Sequence, residues 1–247
     1  MRNVAPSRSL ARRANQWKTI AFLVAAISVF IATIGVVLFL IPFVNPNSSS
    51  YALYSTVIFG VLCFAGLLFL AAIGIAIRAF TWRTDNDLAM ITGRYLARSL
   101  DDRFTLIRNV SKREIGYIDA VLVGPPGALV MRILDDPGDY LNEGSNWVVR
   151  RRTGELTSAK INPTREAVAD IRKLREYLAK HRLADVPVYG AVVFTREEPV
   201  VRLTVREPTV PPSHLSTLIL NLQNNYLAKD RIDADKVTAL VRLLFGE

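Results

Sequence analysis

From Ile20 to Val44, and again from Tyr51 to Ile77, this chain carries no charged side chain. A helix needs roughly 20 apolar residues to cross the hydrocarbon of a bilayer, and each run meets that length. The six residues between them, Asn45-Pro-Asn-Ser-Ser-Ser50, are turn formers. Together the three segments read as a transmembrane helical hairpin. A secretory signal peptide is the competing reading of the first run. Its apolar region would extend for about 7–15 residues, and a second span would not follow at once.

The charges around the hairpin give it a direction. Arg2, Arg8, Arg12, Arg13 and Lys18 precede the first run, Arg78 and Arg83 follow the second, and the turn has none. Lysine and arginine are retained on the cytoplasmic side. The expectation is therefore a two-span protein of the cell inner or plasma membrane, with both termini cytoplasmic. The net charge is +9, but residues 1–84 contain seven basic and no acidic residues, and the first acid is Asp85. Most of the excess is thus a topology signal and an attraction to anionic lipid. The remainder is nearly balanced and makes no general electrostatic case for nucleic acid.

Cys63 is the single cysteine and lies inside the second run, so no disulfide or thiolate metal site forms within one chain. His181 and His214 are far apart and in no metal-ligand spacing; they read as surface or capping residues.

The expected organisation is a basic N-terminus (1–18), a hairpin (19–80) and an α/β domain (85–247). A helix starting at Asp85 should bury Leu88, Ile91, Tyr95 and Leu96. Strands are expected at 104–110, 115–123, 128–134, 146–152, 155–158, 186–194 and 200–205. Asn162-Pro163 marks a helix start, with Asn as N-cap and Pro at the first helical position. Ser213 reads as the cap of a helix carrying Leu215, Leu218, Ile219 and Leu222. A last helix carries Val237, Leu240, Val241 and Leu244. This order fits a mixed central sheet flanked by helices. In the hairpin itself, Gly60, Gly66 and Gly74 share no helical face, so they form no small-residue packing stripe.

The most specific stretch is Ile115-Gly-Tyr-Ile-Asp119 through Gly124-Pro-Pro-Gly127 to Met131-Arg132-Ile-Leu134. It is two strands joined by a tight turn, with one carboxylate on the first. With Trp147, Asn162-Pro163 and Val192-Val-Phe194 following in order, it resembles the NERD (nuclease-related) domain, a branch of the PD-(D/E)XK nuclease-like fold. The resemblance covers roughly residues 88–203 and implies a restriction-endonuclease-like sheet with a metal-dependent phosphodiesterase centre. In that family an Asp and a Glu on this hairpin hold Mg²⁺ or Mn²⁺, a Lys two residues after the Glu assists, a first-helix Glu joins them, and a Gln after Asn-Pro supports the site. Here Asp119 matches the first acid. Arg132 stands at the Glu position, Leu134 at the Lys position, Glu166 at the Gln position and Arg94 at the helix acid.

A guanidinium cannot coordinate a cation and repels it by about 4 kcal/mol at ~4 Å and an effective dielectric of 20. Two arrangements are open: Arg132 pairs with Asp119 where the metal would sit, or it points to solvent while Asp119 is merely hydrogen-bonded. A migrated site using Asp119 with Asp135, Asp136 or Asp139 competes with the reading of that segment as a solvated turn. Arg150-Arg-Arg152 reads as a charged hairpin tip, Trp147 as core, and Gly124-Pro-Pro-Gly127 as a turn without the Gly-Lys-Ser/Thr of a phosphate loop.

The expectation is a membrane-anchored module that binds or scaffolds without catalysis and without a cofactor. Its partners would be the bilayer and a nucleic acid or protein at the degenerate site. The alternative is a membrane-tethered, Mg- or Mn-dependent nuclease with a rearranged centre. A third reading gives the work to the hairpin alone.

Overall fold

The computed structural model describes residues 1–5, 10–151 and 153–246. The chain divides into two compact units, Leu10–Thr84 and the combination of Met1–Ser9 with Asp85–Glu247.

The first unit is made of α1 (Leu10–Leu40) and the body of α2 (Tyr51–Leu96). The segments Asn15–Leu40 and Tyr51–Thr81 have mean hydropathies of 2.8 and 2.7 and are long and apolar enough to cross a membrane. Their large side chains, such as Phe22, Phe30, Leu53 and Phe59, point outward. The helices meet through small residues at heptad spacing. Ala21, Ser28 and Gly35 are buried on α1, and Ile58, Ala65, Ala72 and Ala79 on α2. A seven-residue period keeps one seam facing the neighbouring helix, and small side chains let the backbones approach. Ser28 donates its hydroxyl to the Ala65 carbonyl at 2.8 Å, and Tyr54 donates to Leu38 at 2.7 Å. The packing stripe that Gly60, Gly66 and Gly74 do not form is thus written chiefly in alanine, with Ser28, Gly35 and Ile58. Gly60, Gly66 and Gly74 have no neighbour within 4 Å of a would-be Cβ.

The second unit is built on a six-stranded mixed sheet: β1 (Arg2–Val4), β2 (Thr105–Lys112), β3 (Gly116–Gly124), β4 (Gly127–Leu134), β8 (Val188–Phe194) and β10 (Pro212–His214), in that order. The antiparallel β3–β4 hairpin turns at Gly127, whose φ is +123° and whose missing Cβ leaves room for the Pro187 carbonyl. A second sheet orders β7 (Leu156–Ser158), β6 (Asn146–Arg150), β5 (Gly138–Glu143) and β9 (Val201–Arg206).

The alternation of β-strand side chains sorts the main core into two faces. Ile107, Val121, Val123 and Val130 pack against α3 (Pro163–Lys180) and α5 (Ala234–Phe245). Leu106, Ala120, Leu122, Leu129 and Met131 pack against the end of α2 and α4 (Leu218–Gln223). A third cluster, with Leu134, Trp147, Phe194 and Val201, joins the two sheets.

Several expectations are corrected. No helix begins at Asp85, because α2 runs unbroken through residues 78–86, which contain neither Pro nor Gly. Its buried positions are Ala89, Thr92, Gly93 and Leu96, while Ile91 is 46% exposed. Gly93 sits there because Asn3 and Leu106 occupy the space a Cβ would need. Ser213 is a residue of β10 rather than a helix cap. β1 and β5 were not foreseen. His181 closes α3, its Nδ1 2.8 Å from the Tyr177 carbonyl.

Candidate functional site

Asp119 lies at a defect in the central sheet. The β2–β3 register passes from Arg108↔Ala120 to Val110↔Ile118 without pairing Asn109 to Asp119. The β3–β4 register begins at Ala120↔Met131 and omits Asp119 and Arg132. One ladder is therefore interrupted, and the other ends, beside one residue. The Asp119 carboxylate closes part of the gap, its Oδ2 accepting the Ile133 N–H at 2.9 Å. Opposite it, Asn109 has a φ of +55° and is 2% exposed. A non-glycine residue held in the left-handed region costs about 1 kcal/mol, least for Asn. The Tyr117 hydroxyl donates to Asn109 Oδ1 at 3.1 Å.

Arg132 fills the space beside Asp119. Its Nη1 stands 3.2 Å from Asp119 Oδ1, and its Nη2 stands 2.7 Å from Glu166 Oε2. Glu166 occupies the first turn of α3, which is oriented by Asn162 accepting the Arg165 N–H at 2.9 Å. One turn further, Asp170 is 8% exposed. Burial raises the Asp170 carboxyl above its ordinary range, Lys173 and Arg132 oppose that, and Glu166 adds to it. For Arg132, burial works against the cation, but Asp119, Glu166 and Asp170 outweigh it and leave its pKa raised. One guanidinium is thus held among three carboxylates.

Such a donor set does not fit a divalent cation. The oxygens of Asp119 and Glu166 that would coordinate it face the guanidinium instead, and a metal would sit against a fixed positive charge. Among the described residues no three His, Cys, Asp or Glu side chains form a group able to hold a metal. Asp135 is paired with Arg196 at 3.3 Å and Asp139 with Arg150 at 3.8 Å. The Asp136 carbonyl accepts from the Tyr140 hydroxyl at 3.4 Å. Asp135 and Asp136 thus lie in the β4–β5 connection and Asp139 on β5, and the two arginines come from the segment after β8 and from β6.

Leu134 is 8% exposed and packed with Trp147 and Phe194 between the sheets, so its position is core. Trp147 is held there by its indole N–H, which donates to Thr164 Oγ1 at 2.8 Å. Arg94 does not join the cluster. It lies on α2, against the opposite face of the sheet, where its field, after burial, helps lower the Arg108 pKa. Asn109, Tyr117 and Asp170 were missed. Asp170 was the legible one, four residues after Glu166 on one helical face.

With this geometry in hand, comparison with known families is decisive for the module: residues 88–195 match the family model of the nuclease-related domain. That segment is a NERD domain. No curated protein and no solved structure matches the chain. The NERD match ends at Thr195, one residue past β8, and contains Asp119, Arg132, Leu134 and Glu166. β9, β10, α4 and α5 lie beyond it, and β1 precedes it. The NERD sheet is therefore completed at both ends by strands outside the matched segment.

Proposed function

We propose that this protein is a two-span membrane protein whose NERD domain binds without hydrolysing phosphodiesters, serving as a scaffold at the cytoplasmic face. The observation that carries this reading is Arg132, whose guanidinium engages Asp119 and Glu166 together. Metal-assisted hydrolysis needs hard oxygens free to hold the cation and a water beside it. Leu134, buried at its position, also supplies no ammonium group to stabilise charge in a transition state. The apolar lengths of the two spans and the basic residues flanking them support anchoring with both ends cytoplasmic. The pairing of β1 with β2 supports it too, since residues before and after the hairpin belong to one sheet. The partner at the degenerate face is a nucleic acid or a protein.

The three carboxylates that survive around Arg132 favour one second reading, a tethered nuclease in which Arg132 withdraws and a metal enters. The full-length protein in lipid nanodiscs, incubated with DNA and RNA plus Mg²⁺ or Mn²⁺, separates the two. The binding reading expects no cleavage and no metal-dependent heat in calorimetry. Cleavage that disappears in Asp119→Ala establishes the nuclease instead.

A further inference from the structure

A cleft of about 720 Å³ lies along the outer edge of β8 and shares no residue with the Asp119 cluster. It exists because β10 covers only Val192–Phe194, leaving Val188–Ala191 with a neighbour on one side. In a parallel ladder successive residues direct their N–H and C=O to opposite sides. Val192 N–H bonds Pro211 O on the outer side, so the N–H and C=O of Gly190 face that side as well. The chain cannot complete this edge itself: the residue that would meet the Gly190 carbonyl is Pro211, which has no N–H. The Val188 carbonyl is already taken by Arg175 Nη2 at 2.8 Å. Gly190 thus presents one donor and one acceptor, side by side, into a cleft.

The walls select the shape of what enters. Ile171 and Val210 belong to the layer on one side of the sheet, and Leu222 and Tyr226 to the layer on the other. A flat group entering in the plane of the sheet meets the backbone edge-on and apolar side chains above and below. The charge selects its other end. Two arginines, Arg175 and Arg231, line the cleft and no Asp or Glu does. Neither enters an ion pair among the described residues. Arg231 is held over the Tyr189 ring at 5.4 Å, with Nη1 on the Lys229 carbonyl at 2.9 Å, which leaves its other donors free. Arginine in a fixed pose beside an apolar slot suits a phosphate.

We propose that this cleft binds a mononucleotide, the base edge against Gly190 and the phosphate on Arg175 and Arg231. A base offers adjacent donor and acceptor atoms on a flat apolar ring, and the phosphate answers an acid-free pair of arginines. An extended acidic peptide adding to β8 would use the same two backbone groups but not the planar slot.

The test is calorimetric titration of the full-length protein in nanodiscs with AMP, GMP, CMP and UMP, with adenosine and inorganic phosphate as separate probes. At least one nucleotide binds saturably, and both adenosine and phosphate bind at least about tenfold more weakly. Arg175→Gln and Arg231→Gln, both at exposed positions, each weaken the nucleotide about tenfold while circular dichroism is unchanged. Absence of saturable binding up to about 1 mM, the weak limit of specific recognition, overturns the proposal. So does phosphate binding as tightly as nucleotide, binding indifferent to both substitutions, or occupation of the cleft by an acidic peptide in preference to nucleotide.

Discussion

Arg132 and Asp119 face each other across a break in the sheet, Nη1 to Oδ1 at 3.2 Å, with side chains 25% and 7% exposed. The pair occupies a position where backbone hydrogen bonds would otherwise run. Removing its cation leaves a buried carboxylate without that countercharge, which is costlier than never having had the pair. Arg132→Met is expected to destabilise the domain by about 1–3 kcal/mol, below the usual range for a fully buried pair because the arginine is partly solvated. Asp119→Asn in the same background should recover part of the loss. A double-mutant cycle from chemical denaturation reads the coupling directly, and additive effects would show that the contact is energetically idle.

Reversing the sign at one position should create what the site lacks. In Arg132→Glu the carboxylates of Asp119, Glu166 and Asp170 gain a fourth and lose the cation between them. Saturable Mn²⁺ uptake should appear in calorimetry and in the Mn²⁺ spin-resonance signal, accompanied by thermal stabilisation on adding metal. Equal titrations for the variant and the parent would show that something other than Arg132 prevents coordination.

Asp170 makes stability depend on pH. Burial raises its carboxyl above the ordinary range, against the pull of Lys173 and Arg132. The folded state therefore holds this proton more tightly than the unfolded chain does. Its contribution is full below the unfolded value, near pH ~4, and is lost as pH rises through the folded value. Asp170→Asn removes that loss. The melting temperature of the variant relative to the parent should climb with pH through this window and then level off. A flat difference from pH 4 to 7.5 would contradict the assignment.

The hairpin seam makes a paired prediction. A Cβ at Gly35 would lie 2.8 Å from Leu62 Cδ2, whereas one at Gly60 would have no neighbour within 4 Å. Gly35→Leu should overpack the seam and cost about 1–3 kcal/mol. Gly60→Leu should leave thermal unfolding in nanodiscs unchanged. Equal effects would place the seam elsewhere.

Trp147 and Thr164 provide a separate stability probe. Both are buried, at 4% and 0% exposure, and their hydrogen bond spans the join between β6 and α3. Thr164→Val should cost about 1–3 kcal/mol by stranding the indole N–H. Thr164→Ser should retain most of that stability in chemical denaturation.

Legibility in the sequence followed the range of the interactions involved. The two long apolar helices were readable because apolar length is a local property. The β3–β4 hairpin was readable because Gly127 and the prolines fix a turn between two apolar runs, and α3 because Asn162-Pro163 announces it. The pairing of Arg132 with Asp119 was one of two arrangements the sequence left open, and the structure has it at 3.2 Å. β5 was hidden because its own residues, Gly138-Asp-Tyr-Leu-Asn-Glu143, are half polar, and because one of its two partners, β9, begins some sixty residues later. Ile91 misled because helical periodicity names a stripe but not which neighbour covers it. The missing pairs beside Asp119 carry no sequence signal, since Asn109 reads as an ordinary strand residue until its backbone angle is known. The alanine seam escaped because small apolar side chains look the same in lipid as at a helix contact.

β1 has a consequence for how the protein is made. Arg2, Asn3 and Val4 find their partners at Thr105, Leu106 and Ile107, about a hundred residues further along. During translation these early residues must wait, without their sheet partners, while both long apolar helices are produced. β2 then pairs with an edge strand that had already left the ribosome. Completion of this edge of the sheet is thereby tied to production of both apolar helices, and a chain stalled before β2 leaves its leading segment exposed to whatever binds loose strands.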